Sequence, residues 1–203
     1  MTDDPTTSPV YQRRLYYVPI LHTAIELGGL LEGAKEIAGE QAFSQRQRVV
    51  SAIWDRVEEW ARALDPSLPH FKLYQDGLAQ CGKELQIVQE LAERKSRNHR
   101  LLLELVGRGA SLIGTEDPAL LVREYELAKQ IVTPNADRAA LEPVAIQLLA
   151  ERDAFIAERI NQTLLPGQTG VLFIGMLHNV HRHLEPDIEI VVPFTNGNSH
   201  EQQ

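Results

Sequence analysis

Four titratable residues each follow a short run rich in β-branched, aromatic or leucine side chains. His22 closes Arg14 to Leu21, Asp76 closes His70 to Gln75, Glu116 comes just after Ala110 to Gly114, and His178 stands just beyond Val171 to Ile174. Imidazole and carboxylate together are what a divalent metal such as zinc requires, or what an acid/base pair requires to work near neutral pH. The four are far apart in the chain. If the runs are strands of a parallel sheet, their C-terminal ends share one edge, so residues that end different strands converge in space.

The densest stretch is 169–183, TGVLFIGMLHNVHRH, which holds three of the seven histidines. Val171 to Ile174 is too short and too β-branched or aromatic for a helix, and Gly175 follows, so a buried strand running into a turn is expected. His181 and His183 come next at spacings that metal ligation accepts, although a polar loop supplies histidines without that purpose. His181 is the further ligand candidate. Each acid also has a plainer explanation. Glu26 completes a capping box with Thr23, Asp76 precedes Gly77 in a turn, and Glu116 lies where a helix N-terminus favours negative charge.

Arg152 and Asp153 both fall on the apolar stripe of a long helical pattern, among Leu148, Leu149, Ile156 and Ala157. Charges there are costly unless paired. Arg152 either snorkels to water from the edge of the stripe or pins a buried carboxylate, and a site acid is the obvious partner.

The elements that must position these groups alternate. A strand over 14–21 is followed by a helix from Thr23, and an amphipathic helix over 44–64 carries Val50, Ile53, Trp54, Val57, Trp60, Ala61 and Leu64 on one face. A strand over 70–75 precedes helical patterns over 82–95 and 97–106, and a third strand covers 110–114. Asp117 as cap and Pro118 at the first helical position start a helix to about Val132. A long helix over 137–165, with Pro143 starting or kinking its main segment, leads to the strand before His178, and Ile188 to Val192 forms a fifth. Strands separated by helices imply a single-domain, three-layer α/β sandwich over 11–194, with a mainly parallel sheet of about five strands flanked by helices. Residues 1–10 form a polar lead-in and 195–203 a polar tail. The connection over 175–188 is short for a helical crossover, so one antiparallel edge pair is expected.

The net charge of −8 and sequence pI near 5.4 argue against a nucleic-acid or acidic-membrane surface, because phosphate binding needs a concentrated basic face. Cys81 is the single cysteine, which rules out an internal disulfide, and nothing points to a cysteine-based metal site. No apolar run approaches the roughly 20 residues that span a bilayer, and the acidic N-terminus is unlike a signal peptide; a cytoplasmic address is expected. Low aromatic content and the polar tail mark out no partner surface.

The helix around Glu151-Arg152-Asp153-Ala154-Phe155-Ile156-Ala157, followed by Gly170 to His178 with Gly175-Met176-Leu177-His178, resembles the closing block of the superfamily that includes TraB-type proteins, Tiki metalloproteases, erythromycin esterases and ChaN-like haem-binding proteins. There an Arg-Asn or Arg-Asp helix precedes a strand ending in Gly-x-x-His, and a second such motif follows the first strand. Pro19-Ile20-Leu21-His22 stands at that place here, keeping the histidine and replacing the glycine. The resemblance implies that His22 and His178 share one site with Asp76 or Glu116. It points to a hydrolase of ester or amide bonds, acting on a small-molecule or peptide substrate, with Arg152 orienting an acid. His22, His178, Glu116 and His181 would hold a divalent metal (zinc, manganese or iron), or the histidines would act directly on water. The alternative it implies is a non-catalytic protein that holds haem, iron or a small ligand with the same histidines.

Overall fold

The computed structural model describes residues 11–21, 40–65 and 71–194. In chain order the elements are β1 (Arg13–Ile20), α1 (Glu40–Ala63), β2 (Lys72–Gln75), α2 (Glu84–Glu93), α3 (Arg97–Gly107), β3 (Ser111–Ile113), α4 (Pro118–Ile131), α5 (Arg138–Thr163), β4 (Thr169–Gly175), a 3-10 turn (Val180–His183) and β5 (Ile188–Val191). The helix expected from Thr23 lies outside the described residues, as do His22, Glu26 and His70.

The strands form one sheet in the order β3-β2-β4-β1-β5, and every pairing is parallel. The expected antiparallel edge pair is therefore corrected. β5 does not fold back on β4 but crosses to the far side of β1, where Arg13 pairs with Ile188 and Tyr16 with Val191. A strand of only four residues needs a return of roughly 13 Å, and residues 176–187 with their 3-10 turn span it without a helix.

Alternation along the strands separates two cores. Val18, Ile20, Leu73, Val171 and Phe173 face Trp54, Val57 and Ala61 of α1 and Leu101, Leu102 and Leu105 of α3. Leu15, Tyr17, Tyr74, Leu172 and Ile174 face Ile156, Ala157 and Ile160 of α5. Both faces of the central strands are covered, which is why 171–174 reads as an unbroken apolar run. The steps from β1 to β2 and β3 run one way across the sheet and those to β4 and β5 run back, so right-handed crossovers put their connections on opposite faces.

Two helix starts follow directly from local chemistry. Asp117 accepts a hydrogen bond from the Ala119 N–H (2.6 Å) ahead of Pro118, and Asp137 accepts from the Ala140 N–H (3.1 Å). Pro143 lies within the second turn of α5, inside the helix, where its missing N–H forgoes the bond to the Ala139 carbonyl. Trp54 is fully buried and its indole N–H donates to the Leu21 carbonyl (3.1 Å), which fixes the middle of α1 at the C-terminal edge of the sheet. Trp60 packs edge-on against Tyr16 and Phe194, so both tryptophans anchor the core.

Candidate functional site

β2 and β4 are neighbours whose outgoing connections leave toward opposite faces, and the crevice between such strands is where an open α/β sheet admits a ligand. Asp76 follows β2, Glu116 follows β3 and His178 follows β4. All three are buried, with Glu116 at 0% exposure, and α5 brings buried Arg152 and Asp153 over them.

Arg152 binds both acids at once. Its Nε and Nη2 donate to Glu116 Oε2 and Oε1 (2.9 and 2.6 Å), and Nη2 also donates to Asp76 Oδ1 (2.8 Å). Its Nη1 donates to Glu124 of α4, whose side chain reaches solvent. Helical spacing put this arginine on a buried stripe, and the forked geometry of guanidinium explains how one cation serves three carboxylates. Snorkelling to water is thus excluded for Arg152, which holds Asp76 and Glu116 together.

The acids are fixed by backbone as well. After Asp76 the chain turns through Gly77 at φ +77°, a conformation that favours glycine, and the Gly77 N–H donates to Glu116 Oε1 (3.0 Å). Glu116 therefore does not serve as a mere N-terminal charge for α4. The Gly175 N–H at the end of β4 donates to Asp76 Oδ2 (2.9 Å), tying the acid of one strand to the backbone of the next.

His178 faces two carboxylates. Its Nδ1 lies 2.5 Å from Asp153 Oδ1, and its Nε2 lies 3.5 Å from Asp76 Oδ2. Because an ionised carboxylate only accepts, Nδ1 is the donor and Nε2 is the nitrogen left toward Asp76. At 3.5 Å this contact is longer than a normal direct hydrogen bond. Asp153 is held in turn by the Asn179 N–H (2.8 Å), and the Tyr17 hydroxyl donates to the His178 carbonyl (3.2 Å). Asp153 as the partner of His178, and Glu124 as the outer partner of Arg152, are what sequence reasoning missed. The cost of Asp153 on an apolar stripe was the one signal for the first.

Burial pushes the Glu116 carboxyl above its ordinary value; the hydrogen bonds and charge of Arg152 pull the other way, and the charge of Asp76 adds to the rise. Burial opposes the charge on Arg152, but the bonds and charge of Glu116, with Asp76 and Glu124, outweigh it and hold the guanidinium above its ordinary value. Burial pushes Tyr17 up to about 12, reinforced by the charges of Asp153 and Asp76.

The remaining histidines divide. His181 and His183 are exposed on the 3-10 turn, with the His181 ring edge-on to Tyr17 at 6.0 Å between centroids. His99 is buried at the start of α3, where its Nδ1 meets Ser96 Oγ at 2.7 Å. Among the described residues no group of three or more His, Cys, Asp or Glu side chains could hold a metal ion. The Arg152 guanidinium lies between Asp76 and Glu116, so the positive charge that these two acids attract is already supplied by the protein. The described donors of the expected metal set thus do not fit a divalent ion, and His22, its remaining member, lies outside the described residues.

No described helix is long and apolar enough to cross a membrane. No protein-family model, curated protein or solved structure matches this chain.

Proposed function

We propose that the chain is a hydrolase of ester or amide bonds in which His178, oriented by Asp153, acts as general base on a water in the crevice between β2 and β4. The observation that carries this reading is the 2.5 Å contact between His178 Nδ1 and Asp153, which leaves Nε2 directed toward Asp76. A carboxylate on Nδ1 fixes the tautomer and stabilises the imidazolium that forms when Nε2 takes a proton. In the reaction, Nε2 removes a proton from water as the water oxygen bonds to the scissile carbonyl carbon. The bond to the leaving oxygen or nitrogen then breaks, and the proton passes from Nε2 to that atom. Asp76 lies within reach of the same water, and Arg152 and the Gly175 N–H hold Asp76 in place. The short-motif resemblance to the TraB, Tiki and erythromycin esterase superfamily points to the same class of reaction, with His22 as a second histidine.

The test is hydrolysis of 4-nitrophenyl acetate and 4-nitroacetanilide by wild type, His178→Ala and Asp153→Asn, each shown to be folded by thermal melting. His178→Ala should reduce the rate to that of free imidazole controls. Asp153→Asn should lower kcat by about 10² to 10⁴ with a smaller change in KM. Addition of EDTA should leave the wild-type rate unchanged. Hydrolysis that is indifferent to His178 in folded protein sinks the proposal. So does a Soret band on haemin titration that needs His178 in a protein that hydrolyses nothing, which would favour the haem-holding alternative.

A further inference from the structure

Gly175, Met176, Leu177 and His178 form a hydrogen-bonded β-turn, closed by the His178 N–H donating to the Gly175 carbonyl at 3.1 Å. Met176 and Leu177 are its two corners. Corners of turns are ordinarily Gly, Pro, Asn, Asp or Ser, each for a reason of conformation or local hydrogen bonding. Here both are large and apolar, and they stand 62% and 78% exposed. Neither has positive φ, so the backbone would accept a polar residue at either place. Neither belongs to the two core clusters.

Single exposed apolar side chains are ordinary. These two are consecutive, and the turn that carries them is anchored on both sides: the Gly175 N–H to Asp76, the His178 ring and the Asn179 N–H to Asp153. The network that orients the imidazole therefore also holds the two apolar side chains in place, and Leu177 is joined to His178 by a peptide bond. Other exposed apolar residues, such as Val122 and Ile146, lie on α4 and α5 with no such link. Local sequence that departs from turn chemistry is expected where a function, and not the fold, sets the residue.

We infer that Met176 and Leu177 are an apolar rim of the crevice, and that its substrate carries an aliphatic group on the scissile carbonyl. The inference rests on the proposed function for the position of that carbonyl. Moving a methylene fully out of water is worth about fourfold in affinity, from about 0.8 kcal/mol. A rim covers one side of the chain, which gives about twofold per methylene and about 10- to 20-fold for four.

The chain has two methionines, Met1 and Met176, so ¹³C-methyl-methionine labelling gives a reporter at the rim, assigned with Met176→Leu. N-methylhexanamide and N-methylacetamide, which differ by four methylenes, are titrated into the full chain. The Met176 methyl should shift with both, with Kd about 10- to 20-fold lower for the hexanamide, and Leu177→Ser should cut that ratio to about fourfold or less. A Met176 methyl that ignores N-methylhexanamide, or a ratio that Leu177→Ser leaves intact, overturns the inference. Hydrolysis of 4-nitrophenyl hexanoate against the acetate separates it from the reading it rests on. A Met176 response without His178-dependent hydrolysis keeps the rim and removes the hydrolase; hydrolysis with no chain-length preference and no Met176 response does the reverse.

Discussion

Replacing Arg152 by Met keeps most of the side-chain volume and removes the cation that three carboxylates share. Glu116 would lose two charge-assisted bonds and keep the Gly77 N–H, while remaining fully buried, and Asp76 would lose its 2.8 Å bond to the guanidinium. Breaking a buried pair from one side costs about 3–5 kcal/mol, because the partner charge stays where water cannot reach it. For a domain of this size that corresponds to about 6–20 °C in melting temperature. The pH dependence identifies the cause. Burial has already raised the Glu116 carboxyl above its unfolded value of 4.5, and loss of Arg152 removes the group that pulls it down, so it rises further. A raised carboxyl gives stability that is fully present below the unfolded value and lost as pH rises through the folded one. The deficit of Arg152→Met should therefore be largest at neutral pH and shrink as pH falls toward 4.5, and adding Glu116→Gln should recover part of it at pH 7. Urea denaturation of wild type, Arg152→Met and the double variant at several pH values measures this. A loss below about 1 kcal/mol, or one that is independent of pH, refutes the picture of a buried cation neutralising buried acids.

Two further outcomes follow from the same geometry. Gly114→Ala should destabilise by about 1–3 kcal/mol, because its Cβ would meet Gln80 Cα at 2.7 Å and the Ala79 carbonyl at 3.0 Å, in the segment whose Gln80 N–H to Glu116 carbonyl bond (2.8 Å) seats Glu116. Gly107→Ala, with nothing within 4 Å of its Cβ, is the control that should melt at or slightly above wild type. Tyr17 stays protonated in the folded state up to about 12 while the unfolded chain ionises near 10, so stability should fall as pH rises between these values. Tyr17→Phe should flatten that fall, with Tyr74, also raised to about 12, accounting for what remains; an unchanged slope in denaturation experiments would falsify the assignment.

Much of the frame was legible because its signals are local. The strand before His178, the Asp117-Pro118 start of α4 and the stripe on α1 each follow from residues within one or two turns of one another. The sheet edge was legible at one remove, since a parallel α/β pattern places every strand end on one side. What failed was lateral order. A short connection suggested an antiparallel pair, whereas β5 skips β4 and pairs with β1, and no local residue signals which neighbour a strand will choose. The site divided similarly. Arg152 and Asp153 could be flagged from the cost of charge on an apolar face, but their partners lie 36, 76 and 25 residues away in the chain and are set by the crossing of α5 over the edge.

Asp76 is the joint between the two halves of this network. One oxygen belongs to the ionic side through Arg152, and the other faces the imidazole and takes the Gly175 N–H. Glu116 and Glu124, by contrast, bond to Arg152 and not to His178, so they set charge and position without reaching the imidazole. Asp153 reaches the imidazole directly and has no bond to Arg152 despite being its neighbour in sequence, since adjacent helical residues point about 100° apart. The arrangement thus separates a carboxylate that orients the histidine from one that faces its free nitrogen, and uses the arginine to keep the second in place. Substitutions on the Glu116 side should act on His178 only as far as they displace Asp76, and should be near additive with Asp153→Asn when they do not.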